Sequence, residues 1–161
     1  MNTLRKHSIQ LTLWILVYVG AGWLIGSLTS DSVNSWYQQL VKASLNPPPL
    51  AFPIVWTALY IMIAIAGWSL WQTATSKRKS LVCGLFVLQT IMNWMWSFIF
   101  FEAHMLGLAF AWIVALIIVV AILILLSWSL SRMSALLLIP YLLWISFASY
   151  LSGSVWVLNT P

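Results

Sequence analysis

The stretch LAFAWIVALIIVVAILILLSW, residues 108–128, decides the fold: it holds no charged side chain, no proline and no alternation of apolar with polar residues. An α-helix needs about 20 such residues to cross ~30 Å of hydrocarbon. In lipid every backbone N–H and C=O must find an internal partner, so only helices and closed barrels span. Barrel strands alternate in polarity, and this stretch does not, so it reads as a membrane-spanning helix. Outward from it, charges stand only at Arg5, Lys6, Asp31, Lys42, Lys77, Arg78, Lys79, Glu102 and Arg132. They leave the uncharged runs 8–30, 43–76, 80–101, 103–131 and 133–161, each long enough to cross. The expected fold is all-α: a polytopic membrane protein in which residues 1–161 form one domain. Its five transmembrane helices are expected at about 9–28, 50–72, 81–101, 107–130 and 134–157.

Composition agrees. Of 161 residues, 63% are hydrophobic and 6% charged, against about 25% charged in soluble domains. That excludes a water-soluble globule, a disordered segment and a nucleic-acid binder with an exposed basic face. The lone Cys83 cannot form an intramolecular disulfide. Arg5, Lys6 and His7 imitate the basic start of a signal peptide, but the apolar part, Ile9 to Ile25, exceeds the usual core of about 7–15 residues and no Ala-x-Ala exit follows. It reads as a retained helix. With five spans, Arg5, Lys6, Lys77, Arg78, Lys79 and Arg132 share one side, and Lys42 stands alone on the other. The positive-inside rule then puts the N-terminus in the cytoplasm and the C-terminus outside, in the expected setting of a bacterial cytoplasmic membrane.

Three connections are short, which makes sequential helices antiparallel neighbours. The first, 29–49, is long and ends in Asn46-Pro47-Pro48-Pro49. Three prolines fix φ and stiffen the entry to the second span. With Trp36 and Tyr37 in it, the loop reads as a lid rather than a linker.

The missing chemistry narrows the function. No ionisable residue lies centrally in any span, whereas proton- and ion-coupled carriers place such groups in the membrane. A coupled antiporter and a pump are therefore disfavoured. Glu102 and His104 sit at a helix end without a third partner, and no His-x-x-x-His or Cys-x-x-Cys spacing supports a metal site. His7 and His104 lie at span edges, where they cannot serve as the axial pair of a resident haem. No cofactor is required by the sequence.

Aromatic surface and neutral polar groups remain, including 12 tryptophans. Trp14, Trp68, Trp71, Trp128 and Trp156, near span ends, read as anchors at the headgroup level. In the third span Gln89, Asn93, Trp96 and Phe100 share one face. Two amides there must avoid lipid, so the face points inward, where Asn93 serves either as interhelical hydrogen-bond glue or as a ligand contact. Phe52, Trp56, Tyr60 and Ile63 run down the second span; Pro140, Trp144, Phe147, Ala148 and Leu151 lie along the fifth, where Pro140 frees a carbonyl and kinks the helix. Trp56 and Trp144 are expected to frame a slot for a flat apolar ligand by offset stacking. Gly22-x-x-x-Gly26 and the row Gly107, Ala111, Ala115 allow close helix approach, within the bundle or in a homodimer.

These residues resemble the TspO/MBR family, the tryptophan-rich sensory proteins of bacteria and the translocator (peripheral benzodiazepine receptor) protein of mitochondria. The resemblance rests on Trp36-Tyr37-x-x-Leu40-x-Lys42, Pro47-Pro48, Phe52, and Val55-Trp56-x-x-Leu59-Tyr60. It extends through Gln89-x-x-x-Asn93-x-x-Trp96-Ser97-x-x-Phe100-Phe101 and Pro140-Tyr141-x-x-Trp144-x-x-Phe147-Ala148-x-Tyr150-Leu151. Departures are Lys42-Ala43 for the usual Lys-Pro, Leu45-Asn46 before the double proline and Leu151-Ser152 for Leu-Asn; no cation follows Tyr150 to complete the family's sterol motif. The resemblance implies a five-helix bundle, often dimeric, that binds porphyrins such as protoporphyrin IX or haem, and isoquinoline-type drugs, in a pocket closed by the first loop. The implied ligand-binding residues are Tyr37, Trp56, Tyr60, Asn93, Trp96, Trp144, Phe147 and Ala148. Members are described as tetrapyrrole transporters, sensors or regulators, and some promote light-dependent porphyrin breakdown, for which Trp56 and Trp144 would be the catalytic residues. Three readings follow: a porphyrin-binding transporter or sensor, a photo-oxidative activity, and a scaffold recruiting a partner protein.

Overall fold

The computed structural model describes residues 3–160. Five helices are long and apolar enough to cross a membrane. They are α1 (Thr3–Leu28), α4 (Ala51–Trp71), α5 (Lys77–Ser97), α6 (Leu106–Ser127) and α7 (Arg132–Asn159), with two short helices, α2 (Ser30–Asn34) and α3 (Trp36–Gln39), between the first two. The protein is an all-α polytopic membrane protein. α1, α5 and α7 begin earlier than the charge pattern suggests, because each takes its flanking cations into its first turns. Helical Lys and Arg stems can lie along the bundle while the charged heads reach water.

Three cations at the start of α5 oppose that helix's own dipole, and the local bonding offsets this. Ser76 caps the helix by accepting a hydrogen bond from the Lys79 amide at 3.1 Å. The Lys79 ammonium turns back to donate to the carbonyls of Trp71 (2.8 Å) and Thr73 (2.7 Å), satisfying acceptors left over where α4 ends. Ser131 caps α7 in the same way, accepting from the Ser134 amide. At this basic end Ser69 bonds Ser131 at 2.8 Å, and the Ser134 hydroxyl donates to the Ala66 carbonyl at 2.9 Å, tying α4 to α7.

Around the bundle the order is α1, α4, α7, α6, α5. α4 therefore packs on α1 and α7 more than on its chain neighbour α5: a short connection fixes direction but not contact area. The core is led by Tyr141, Phe86, Ile63, Leu70, Leu116, Leu123, Leu138 and Ile145, all essentially inaccessible. α1 is the least embedded span. Its Trp14 packs inward, stacked on Tyr18 (6.1 Å, 8°) and against Trp71 and Phe86. Room for it comes from Gly67, where an added Cβ would lie 2.5 Å from both the Trp14 and Phe86 rings. Trp71, Trp128 and Trp156 are exposed, in keeping with an interfacial setting. α7 runs without interruption through Pro140, whose ring faces outward.

Gly67 is thus where α1, α4 and α5 converge. Replacing Gly67 with Leu should overpack this point by about 1–3 kcal/mol and lower the unfolding midpoint in detergent. Gly84→Ala, which meets nothing within 4 Å, should leave it unchanged or raise it. Equal tolerance of the two changes would contradict the convergence.

Candidate functional site

Under the 29–49 loop the bundle opens into a cavity of about 850 Å³ bounded by all five spans and the loop, within the range of small-molecule sites, about 300–1,000 Å³. Of the residues expected at the site, Tyr37, Trp56, Tyr60, Asn93, Trp96, Trp144 and Ala148 line it. Phe147 does not: it packs against Trp144 (5.8 Å) and Tyr150 (6.3 Å) on the outer side of α7. Pro140 is also absent from the lining. The inward stripe of α7 runs through Trp144, Ile145, Ala148, Leu151, Ser152 and Val155; at about 100° per residue Pro140 and Phe147 both fall just beyond its Leu151 edge, on the same side.

Trp56 and Trp144 face one cavity from α4 and α7 without stacking on each other. Each indole is held by other rings. Trp56 lies against Tyr60 (5.4 Å) and Tyr141 (6.4 Å), and Trp144 meets the edge of Phe52 (6.1 Å). Gly22 of α1 makes the wall possible, since a Cβ there would collide with the Tyr60 ring. Gly26, its partner in the Gly-x-x-x-Gly spacing, meets nothing within 4 Å and leaves the lining open.

The polar frame is neutral. Asn93 accepts from the Tyr60 hydroxyl and donates to the Tyr141 hydroxyl, both at 3.1 Å, joining α5 to α4 and α7. The side chain is interhelical glue that also faces the cavity, and an amide can make four hydrogen bonds, so capacity for a ligand remains. Gln89 lies outside the lining: its amide donates to Thr90, which also bonds Tyr18 of α1 at 2.7 Å. The Trp96 indole donates to the Ala109 carbonyl at 3.0 Å and the Trp112 indole to the Met92 carbonyl at 2.8 Å, fastening α5 to α6. Two buried polar atoms in the cavity wall, Trp144 Nε1 and Ser152 Oγ, have no partner. Four more, Trp68 Nε1, Gln89 Oε1, Trp94 Nε1 and Ser127 Oγ, lie away from the cavity, so unpaired atoms are spread through the bundle rather than gathered at this site.

The loop is folded over this space. α5 ends in a π-helical turn, Phe98–Glu102, closed by the Ala103 amide on the Phe98 carbonyl, a widening frequent at functional sites. It sets Phe100 and Phe101 under the loop, where Tyr37 meets both edge-on at 5.9 and 5.6 Å. Trp36 stacks on His104 at 3.9 Å, and His104 takes the left-handed φ of 54° at the reversal into α6. The Asn159 amide grips the Val41 backbone from both sides, accepting from its N–H and donating to its carbonyl, each at 2.9 Å. Nothing in the sequence flags this clamp, whose partners lie 118 residues apart. The Tyr37 hydroxyl donates to Asn46 at 3.3 Å, and burial pushes its pKa above the usual phenol value, so it stays a neutral donor. Lys42 is the single charged residue in the lining.

The TspO/MBR family profile matches residues 14–157. The chain is 36% identical over 159 residues to the tryptophan-rich protein TspO of Chlorobaculum tepidum, covering 97% of this chain and 99% of that one. It is 32% identical to protein CrtK of Rhodobacter capsulatus, with 94% and 95% covered. With the translocator protein of Sus scrofa it shares 32% identity over 123 residues, 75% and 73% of the two chains. An indole-walled cavity beneath a folded first loop, within five membrane helices, accompanies that likeness along nearly the whole chain, and the protein belongs to the TspO/MBR family.

Proposed function

We propose that the protein binds a porphyrin, protoporphyrin IX or haem, in the cavity beneath the loop, and that binding serves tetrapyrrole transport or stress sensing. Names of relatives such as translocator protein and tryptophan-rich sensory protein favour a transport or sensory role. The observation that carries the ligand is the pair of unstacked indoles, Trp56 and Trp144, facing one cavity. A flat macrocycle gains roughly 0.5–1.5 kcal/mol from each aromatic stack beyond the area it buries. Asn93 supplies neutral hydrogen-bonding capacity suited to pyrrole nitrogens and polar substituents. The absence of charge from the cavity's apolar walls suits a ligand that partitions into membranes.

Titration of protoporphyrin IX into the protein in lipid nanodiscs, followed by porphyrin absorbance and tryptophan quenching, should show saturable binding. Replacing Trp56 and Trp144 together by Ala should weaken it about 5- to 150-fold, two stacks' worth. Unchanged affinity would falsify the slot, and no binding at all would favour a scaffold.

A second reading has its own support: both indoles border the space a porphyrin would fill, near enough to donate an electron to a photoexcited macrocycle with no acid–base pair. Under illumination the bound porphyrin's absorbance should then decay faster than in the dark, and Trp144→Phe should remove the difference. The same light-driven decay in empty nanodiscs eliminates this activity.

The cation distribution supports a cytoplasmic N-terminus and an outward-facing loop in a bacterial inner membrane. With Cys83 changed to Ser, a membrane-impermeant maleimide added to intact cells should label Ser44→Cys and spare Thr75→Cys. The reverse pattern inverts the topology and puts the loop on the cytoplasmic side.

A further inference from the structure

We infer that Lys42 is an anion-recognition residue at the rim of the cavity, and that the natural ligand is an amphipathic acid whose carboxylate it holds. The inference rests on the porphyrin reading above and specifies which face of such a ligand meets the lid. Lys42 is the one charged side chain among the residues bounding the cavity, and no acid in the lining neutralises it. Its ammonium rests on the carbonyls of Gln38 (3.3 Å) and Leu40 (3.2 Å) and over the Tyr37 ring (4.7 Å). These are neutral partners at long range; charge-assisted bonds to carboxylates fall near 2.7–2.9 Å and are about twice as strong as neutral ones. An ammonium carries three donors, and two carbonyls leave one free.

A lysine near a membrane surface commonly reaches outward to water or lipid headgroups. Lys42 is placed otherwise. It is half-buried, folded back over Tyr37, and both side chains belong to the cavity lining. The backbone just before it is the segment gripped by Asn159, so the rim position is fixed before any ligand arrives. With aromatic walls below and one cation above, the site is complementary to a flat apolar body bearing an acid at its edge.

The test compares protoporphyrin IX with its dimethyl ester, identical in macrocycle and lacking the charge, in nanodiscs of zwitterionic phosphatidylcholine. For the unaltered protein the acid-to-ester affinity ratio should exceed that of Lys42→Met by about tenfold or more. Ester affinity should be the same in both, and Lys42→Arg should retain most of the preference. Taking the ratio between variants cancels the different partitioning of the two porphyrins into lipid. An equal ratio in the unaltered protein and Lys42→Met, with both porphyrins still bound, overturns the assignment and leaves the cavity reading standing. Failure of the unaltered protein to bind either porphyrin sinks both.

Discussion

Tyr60, Asn93 and Tyr141 form the interaction on which the rest depends. Helices in lipid gain nothing from leaving water, since acyl chains are as apolar as leucine; packing and interhelical hydrogen bonds must hold them. A bundle that also keeps a large cavity forgoes packing where the helices would otherwise touch. The two-sided bond of Asn93 to a tyrosine on α4 and another on α7 spans that region and keeps three helices in register around open space. Tyr18 and Thr90 do the same for α1. These bonds are worth only about 0.6 kcal/mol each on average in such bundles, so their value is positional. They set where the rings stand, and the rings set the cavity.

Much of this was legible in the sequence, for identifiable reasons. Charge scarcity marks spans well, because a charged group within hydrocarbon is so costly that the nine present must cluster at the ends. The inward face of Gln89, Asn93 and Phe100 followed from the cost of an amide in lipid. Helix ends were less legible: α5 starts at Lys77 because Ser76 caps it and Lys79 serves the preceding helix, a division of labour no hydropathy pattern reveals. The inward packing of Trp14 was not legible, because the vacancy above Gly67 that admits its ring is visible only in three dimensions. Phe147 fell outside the lining because membership of a helix face is a matter of some tens of degrees.

Least legible was the loop. Its length and prolines suggested a cover, but the contacts that hold it come from remote places: His104 beneath Trp36, Phe100 and Phe101 beneath Tyr37, Asn159 around Val41. The Asn159 amide stands in for an absent β-partner, satisfying one residue's donor and acceptor together, as strand pairing does. Two of these anchors, the π turn ending α5 and the last residue of α7, belong to spans that also carry cavity residues. Cover and walls are therefore mechanically linked: any shift of α5 or α7 that widens the cavity also pulls on the loop.

On the porphyrin reading proposed above, that linkage would let a site with no charged group in its walls be selective. Stacking surfaces and neutral hydrogen bonds recognise flatness and size but discriminate poorly among polar substituents. Discrimination must come from where a charge is tolerated, at the water-facing rim, and there the chain places its single lining cation on backbone that is clamped at the preceding residue. A charge held there costs little without ligand, because carbonyls and an aromatic face partly satisfy it, and its pull on a carboxylate would strengthen if a bound macrocycle excluded water and lowered the local dielectric. Affinity can then be set by the indoles and specificity by the lid, two properties carried by different segments and joined through the ends of α5 and α7.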